Sequence, residues 1–524
     1  MAEMEVFNQS SRTRNLMRIA SVSEICAIVN LILGFIYRTV FLSILSVEYL
    51  GINGLFTQIL SLLSLADLGI ANAITFRFYK PIKEGNIIQV GKLMNYFKKV
   101  YRIILAAVLA IGLSLCPFLR FFIKDASEIP KDVNLYVIYT LFLVQSASSY
   151  LFAYRQALLT ADQKQYKISL IQMAGSFFRY SAQMAFLVLT HNFEITIAVN
   201  ILFTVSTNAV ISLYAKKKYA PVFEIRETLN KEERKAILHD TKACMCHKIG
   251  GVVLNSTDNI ILSKFVGLFS VGLYSNYSMI ISNLSLLANQ ILCNSSASLG
   301  NACASLDSDG RYRIYRNMTF LNFWMASSLT ICLYVLVNPF IRLWVGESML
   351  LNELTVISLC AQFYFELIRL VNISYTSADG LFVMDIYRPL IEAGINLIVS
   401  ILLVNAIGIA GVFWGTVISC LSTVTWREPY LIFKYDFKRN AGEYIRTFFL
   451  FLILTGGIGF MLKIIIAPLI SNFAEWLACA VLTVAVSQIL LVLVMRRRYE
   501  FVYLKHMVNV VLKKTVKKIF GREI

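Results

Sequence analysis

Apolar stretches of membrane-spanning length alternate with short polar or basic connections along almost the whole chain. A helix that crosses a bilayer needs about 20 largely apolar residues, and about fourteen segments qualify. They centre near Val29, Leu62, Leu109, Leu143, Gly175, Ile201, Leu254, Leu284, Ser328, Cys360, Ile398, Ile418, Leu454 and Val484. The pattern predicts an all-α polytopic membrane protein. Asn230 and Glu233 form a capping pair ahead of residues 234–239, which predicts a short cytoplasmic helix in the longest connection.

Some spans are striped with polar residues. At about 100° per residue, Asn53, Thr57, Ser64 and Asp67 share one face of the second span, and Gln172, Ser176, Arg179 and Gln183 share one of the fifth. Lys248, Asn255 and Asn259 do so in the seventh, and Asn276, Asn283, Gln290 and Asn294 in the eighth. Single amides and hydroxyls in spans often glue helices together. Four stripes together point to a water-filled path.

Charges at this depth rarely face lipid. Arg38, Arg179, Lys248 and Arg369 are cations that an anionic substrate group would explain. Internal pairing is the competing account, because Glu366 lies three residues before Arg369 and Glu392 four after Arg388. Arg179 has no carboxylate nearby in the sequence. Glu24 and Asp67, carboxylates within spans, are candidates for proton or sodium coupling, or for structural partners.

Leu42-Ser43 and Leu50-Gly51-Ile52 recur, with one insertion, as Leu262-Ser263 and Val271-Gly272-Leu273. Both copies open a span from the same side, which suggests two parallel repeats with the substrate path between them. The expected organisation is an N-terminal lobe over 1–215, an inter-lobe loop over 216–242 and a C-terminal lobe over 243–433. Two extra helices over 434–495 and a basic tail over 496–524 complete it.

Composition agrees with a lipid environment: 57% of the 524 residues are hydrophobic and 15% are charged, against about 25% charged in soluble domains. The net charge of +18 is concentrated at 12–18, 77–102, 155–167, 216–242, 311–316, 434–446 and 496–518. Each cluster falls at a terminus or an even-numbered connection. The positive-inside rule therefore places both termini in the cytoplasm, with His191 and Asn405 outside. Topology and attraction to anionic lipid account for the charge, so nucleic acid is not needed to explain it. In the tail, Leu504, Val508, Val511, Leu512 and Ile519 recur at helical spacing among lysines, suiting a helix on the inner leaflet.

Chemistry-bearing motifs are sparse. No Gly-x-x-x-x-Gly-Lys-Ser/Thr phosphate loop and no His-Glu-x-x-His occurs. Cys244, Cys246 and His247 have metal-like spacing without a full ligand set. The ten scattered cysteines read as buried thiols. No cofactor, metal or catalytic constellation is expected.

Several runs resemble bacterial polysaccharide flippases of the Wzx type, within the multidrug/oligosaccharidyl-lipid/polysaccharide (MOP) exporter superfamily. They include Tyr37-Arg38-Thr39-Val40-Phe41, Glu48-Tyr49-Leu50-Gly51-Ile52-Asn53-Gly54-Leu55-Phe56, Leu65-Ala66-Asp67-Leu68-Gly69-Ile70 and Tyr79-Lys80-Pro81. The second half adds His247-Lys248-Ile249-Gly250-Gly251, Asn255-Ser256-Thr257-Asp258-Asn259-Ile260 and Val271-Gly272-Leu273-Tyr274-Ser275-Asn276-Tyr277. Arg388-Pro389 with Glu392 and Asn396, Gly411 with Gly415-Thr416, and Trp426-Arg427-Glu428-Pro429 complete the set. The resemblance implies two six-helix lobes around a central cavity, here with two added helices, working by alternating access. It also implies undecaprenyl-diphosphate-linked oligosaccharides as substrates, for O-antigen, capsule or exopolysaccharide. The location would be the bacterial inner membrane, and a polysaccharide polymerase would be a fitting partner. A diphosphate would be the anion for the cavity cations. An ion-coupled small-molecule antiporter of the same superfamily and a membrane glycosyltransferase or polymerase are the alternatives.

Overall fold

The computed structural model describes the backbone of residues 12–67, 70–503 and 505–506. Side chains are not described at 12–21, 24, 66–67, 70–73, 236, 238–244, 246–247, 255, 291–305 and 382–383. Most of the predicted tail therefore lies outside the described residues. So do the side chains of Glu24, Asp67, Asn255, Asn294, Cys244, Cys246 and His247.

Regular structure among the described residues is entirely helical. The first part comprises α1 (Arg12–Ile44), α2 (Val47–Leu63), α3 (Ile70–Glu84), α4 (Ile87–Leu115), α5 (Leu135–Ala161), α6 (Gln165–Thr190), α7 (Phe193–Lys218) and α8 (Ala220–Glu224). It continues through α9 (Lys231–Ser256), α10 (Asp258–Phe265), α11 (Leu268–Ser305), α12 (Ser308–Val345), α13 (Glu353–Ile368) and α14 (Leu370–Ala378). The last helices are α15 (Arg388–Ile407), α16 (Ile409–Ser422), α17 (Val424–Leu431), α18 (Gly442–Ile466) and α19 (Phe473–Met495).

Starts of these helices are written in the connections. Asn86, Asn134, Asn192, Asn230, Asp307, Asn352 and Asn472 each accept a hydrogen bond from a backbone N–H of the first turn, satisfying a donor that the helix itself leaves open. At α9 the predicted capping box is complete, with the Asn230 side chain on the Glu233 N–H and the Glu233 carboxylate on the Asn230 N–H. Gly408, at φ 63°, joins α15 to α16 in a single residue, a backbone conformation that disfavours a side chain.

Ten helical segments among the described residues are long and apolar enough to cross a membrane, with mean hydropathy from 1.4 to 2.6. They contain ten of the predicted span centres. The other four centres, Leu62, Gly175, Leu254 and Leu284, fall in α2, α6, α9 and α11. These helices carry most of the predicted polar stripes, but two of the stripes do not run along one helix: Ser64 and Asp67 fall in the single 3-10 turn Ser64–Asp67 after α2, and Asn259 falls in α10. The protein is a multi-pass, all-α membrane protein.

Contacts divide the chain into two units, Met1–Ser275 and Asn276–Ile524, with the division inside α11. In the first, α1 packs on α6, α6 and α5 on α7, α4 on α5, and α9 and α10 on α2. In the second, α12 packs on α13, α18 and α19, and α15 on α16.

The recurring Gly51 and Gly272 meet across the first unit. A Cβ on Gly51 would lie 2.1 Å from the Leu268 carbonyl oxygen, and one on Gly272 would lie 2.3 Å from that of Val47. Val47 opens α2 and Leu268 opens the apolar start of α11. Each glycine therefore sits one turn into its helix, against the first residue of the other. The two contacts are reciprocal.

Candidate functional site

Within the first unit, two predicted cations come together around a pair of tyrosines. Arg179, on α6, donates to the Asn200 side-chain oxygen of α7 at 2.9 Å and lies 4.3 Å from the Tyr180 ring centre. The Tyr180 ring is 5.5 Å from that of Tyr37, beside Arg38 on α1. Arg38 donates to the Ser275 hydroxyl at 2.7 Å. Both arginines are partly exposed.

The partners of Arg179 are neutral. Asn200 passes the contact on, donating to Gln145 of α5 at 3.3 Å. Further along the same pair of helices, Gln156 donates to Asn208 at 3.1 Å and Arg155 to the Ser212 hydroxyl at 2.6 Å. This amide and hydroxyl ladder fixes α5 against α7 and holds Arg179 in place through Asn200. A guanidinium over an aromatic face keeps its full charge and its remaining donors.

The other predicted polar residues are distributed as follows. Asn259 of α10 donates to the Gly54 carbonyl of α2 at 3.4 Å, next to the half-buried Asn53. Lys248 is half-buried on α9. In the second unit, Asn276 is fully buried on α11, and Asn283 donates to the Met279 carbonyl of its own helix at 2.6 Å.

Arg369 has a different setting. It lies at the α13–α14 junction and meets Glu392 of α15 at 3.2 Å and Glu428 of α17 at 3.5 Å. Arg388 meets Asp385 at 2.7 Å, Glu392 at 2.8 Å and Glu428 at 3.5 Å. Arg427 meets Asp385 at 3.3 Å. The carboxylates are almost fully buried, Glu392 at 1% exposure and Glu428 at 3%. Three guanidinium groups thus face three carboxylates and the cluster is neutral.

Of the local pairings offered by the sequence, Arg388 with Glu392 is present, whereas Glu366 accepts from the Ser285 hydroxyl at 3.3 Å. Nearby, Asn396 donates to Thr416 at 2.9 Å, and Gly415 lies against Ser400 so closely that a Cβ would be 2.1 Å from its hydroxyl. The motif residues of this part of the chain therefore tie α13, α15, α16 and α17 together. Asp385 and Cys420, which accompany them, had no sequence signal of their own.

Outside the spans, the Glu233 carboxyl is held below its usual range, chiefly by the Asn230 N–H. Among the described residues, no three His, Cys, Asp or Glu side chains group to hold a metal ion.

No family model matches the sequence, and no curated protein matches it. The fold is matched by solved structures. The lipid II flippase MurJ, in an inward closed conformation, aligns with a TM-score of 0.62 at 14% identity, over 91% of this chain and 99% of its own. An inward-facing MATE-family multidrug resistance transporter of the MOP superfamily aligns at 0.57 and 12%, over 79% and 98%. A MOP superfamily transporter from Pyrococcus furiosus aligns at 0.51 and 12%, over 81% and 99%. At these identities the similarity is one of fold: the chain has the polytopic helical fold of MOP superfamily transporters.

Proposed function

We propose that this protein is a flippase of the bacterial inner membrane that moves undecaprenyl-diphosphate-linked oligosaccharides outward for surface polysaccharide synthesis, by alternating access and without catalysing a covalent reaction. The observation that carries this reading is Arg179, a membrane-embedded guanidinium with an amide and a ring for partners. A cation at membrane depth in a transporter calls for an anion, and a diphosphate accepts the bidentate hydrogen bonds a guanidinium offers. Arg38, Lys248 and the amides Asn53, Asn255, Asn259, Asn276 and Asn283 are the proposed contacts for phosphate and sugar hydroxyls. Arg369 is assigned with them as a secondary contact, since its carboxylate partners already offset its charge. Glu24 and Asp67 are proposed for ion coupling. The basic connections support cytoplasmic termini, and a polysaccharide polymerase on the outer face is the proposed protein partner.

The direct test is deletion of the gene in its own host. Surface polysaccharide should disappear and lipid-linked units should accumulate on the inner leaflet, both reversed by the intact gene. Unchanged surface polysaccharide would contradict the proposal. The MATE likeness supports a second reading, a small-molecule antiporter. It predicts that reconstituted protein exports organic cations against an ion gradient and leaves lipid-linked sugars unmoved.

A further inference from the structure

We infer that the end of the first unit where α5, α6 and α7 meet binds the phosphate of an anionic phospholipid in the leaflet on that side. The inference stands apart from the transport reading and needs no particular substrate.

Helix termini converge there. α5 ends at Ala161, α6 begins at Gln165 after a short turn, and α7 returns to the same end at Lys218. α7 packs on both α5 and α6. The turn is tight: Gln163 takes φ 55°, and the Lys164 N–H donates to the Leu159 carbonyl at 2.9 Å. It sets Asp162 against the end of α7, where the Tyr219 hydroxyl and the Lys164 ammonium both donate to one oxygen of its carboxylate. Lys164 and Tyr219 are buried.

Positive charge at this end exceeds what Asp162 can balance. Lys218 approaches the same oxygen at 3.8 Å, too far for a hydrogen bond to it. Lys167, in the first turn of α6, lies over the Tyr214 ring at 5.2 Å. Lys164 and Lys167 are both near enough to Lys218 to repel it. Lys216 and Lys217 add exposed charge in the last turn of α7. Among the described residues, the ion pairs these lysines make go to Asp162 alone. The start of α6 also lacks a side-chain cap, so its first-turn N–H groups add to the positive potential.

Lysines alone would suit any anion. The order of chemistry along the helices selects a lipid. On α7, Leu213 and Val210 follow one and two turns from Lys217 on its face, at 62% and 51% exposure. On α6, Leu170 follows one turn from Lys167 at 42% exposure. Half-buried Tyr166 and Tyr214 stand at the level of the lysines, as aromatic rings do at a membrane–water boundary. Cations at the helix ends and uncovered apolar side chains beyond them repeat the order of a phospholipid, phosphate first and acyl chain after. A phosphate diester accepts from more than one ammonium group, and basic pockets between membrane helices take anionic headgroups in this way. Lys218 and Lys167 are its contacts. Lys164, tied to Asp162, positions Lys218 through their shared oxygen.

The test is native mass spectrometry of the full-length protein released from nanodiscs holding equal phosphatidylglycerol and phosphatidylcholine. Wild type should retain phosphatidylglycerol in clear preference. Lys218→Gln and Lys167→Gln should each lower that preference about 5-fold, the weight of one lysine at a lipid surface, and the double variant should retain the two lipids equally. Lys167→Arg with Lys218→Arg keeps both charges and should keep the preference, which decides the matter if the double glutamine variant fails to fold. Equal retention of both lipids by wild type, or an unchanged preference in the folded glutamine variants, would overturn the inference. So would displacement of phosphatidylglycerol by inorganic phosphate, which would make the ligand a free anion, or by undecaprenyl diphosphate, which would make the site the substrate's.

Discussion

Arg179 in the first unit and the Arg369–Arg388–Arg427 cluster in the second are both arginines embedded among membrane helices, yet they have opposite surroundings. The second-unit arginines meet Asp385, Glu392 and Glu428, and their charge is spent on holding four helices. Arg179 meets Asn200 and the Tyr180 ring, which position it and leave its charge uncompensated. Substitution should therefore cost stability in one place and transport in the other.

The largest stability effect is expected at Glu392, which bridges Arg369 and Arg388. Glu392→Ala leaves three guanidinium groups facing two carboxylates and should lower stability by about 3–5 kcal/mol, the cost of breaking a buried pair from one side. Thermal unfolding in detergent would measure it, and a loss under about 1 kcal/mol would erase the contrast with Arg179.

A smaller loss, about 1–3 kcal/mol, is expected for Gly51→Ala or Gly272→Ala, because each new methyl group would overlap a backbone carbonyl that cannot swing aside. The double variant should cost less than the sum of the two single ones if α2 and α11 part together. The same unfolding series would show whether the two contacts are coupled.

How much of this was legible beforehand follows from distance along the chain. Spans, caps and the Asn230–Glu233 box rest on neighbouring residues and could be read directly. So could the i,i+4 pairing of Arg388 with Glu392. Arg369 pairs with Glu392 and Glu428, far along the chain and on other helices, and helical spacing points only to the nearer Glu366. The glycine repeat was visible as a repeat, but its reciprocal contact with the ends of α2 and α11 needed coordinates.

The smallest effect is expected at the start of α9. Asn230→Ala should destabilise that helix by about 1 kcal/mol. The Glu233 half of the box carries a pH signature. With its folded value depressed, its contribution is present above the ordinary glutamate range of about 4.3 and is lost as pH falls through the lowered folded value. Hydrogen exchange in the first turn of α9 should therefore quicken toward acid in the wild type. In Glu233→Gln, exchange should be already faster at neutral pH and flatter with pH.

The central claim, that Arg179 is held ready for a substrate phosphate, is tested most directly by flipping of a fluorescent undecaprenyl-diphosphate-linked oligosaccharide in liposomes containing wild type, Arg179→Lys or Arg179→Ala at matched abundance. Arg179→Ala should lose at least about 100-fold in rate, matching the roughly 3 kcal/mol of a charge-assisted contact, with its unfolding temperature nearly unchanged. Arg179→Lys should fall between, since an ammonium keeps the charge and loses the fork. Wild-type flipping by a stable Arg179→Ala protein would contradict the account.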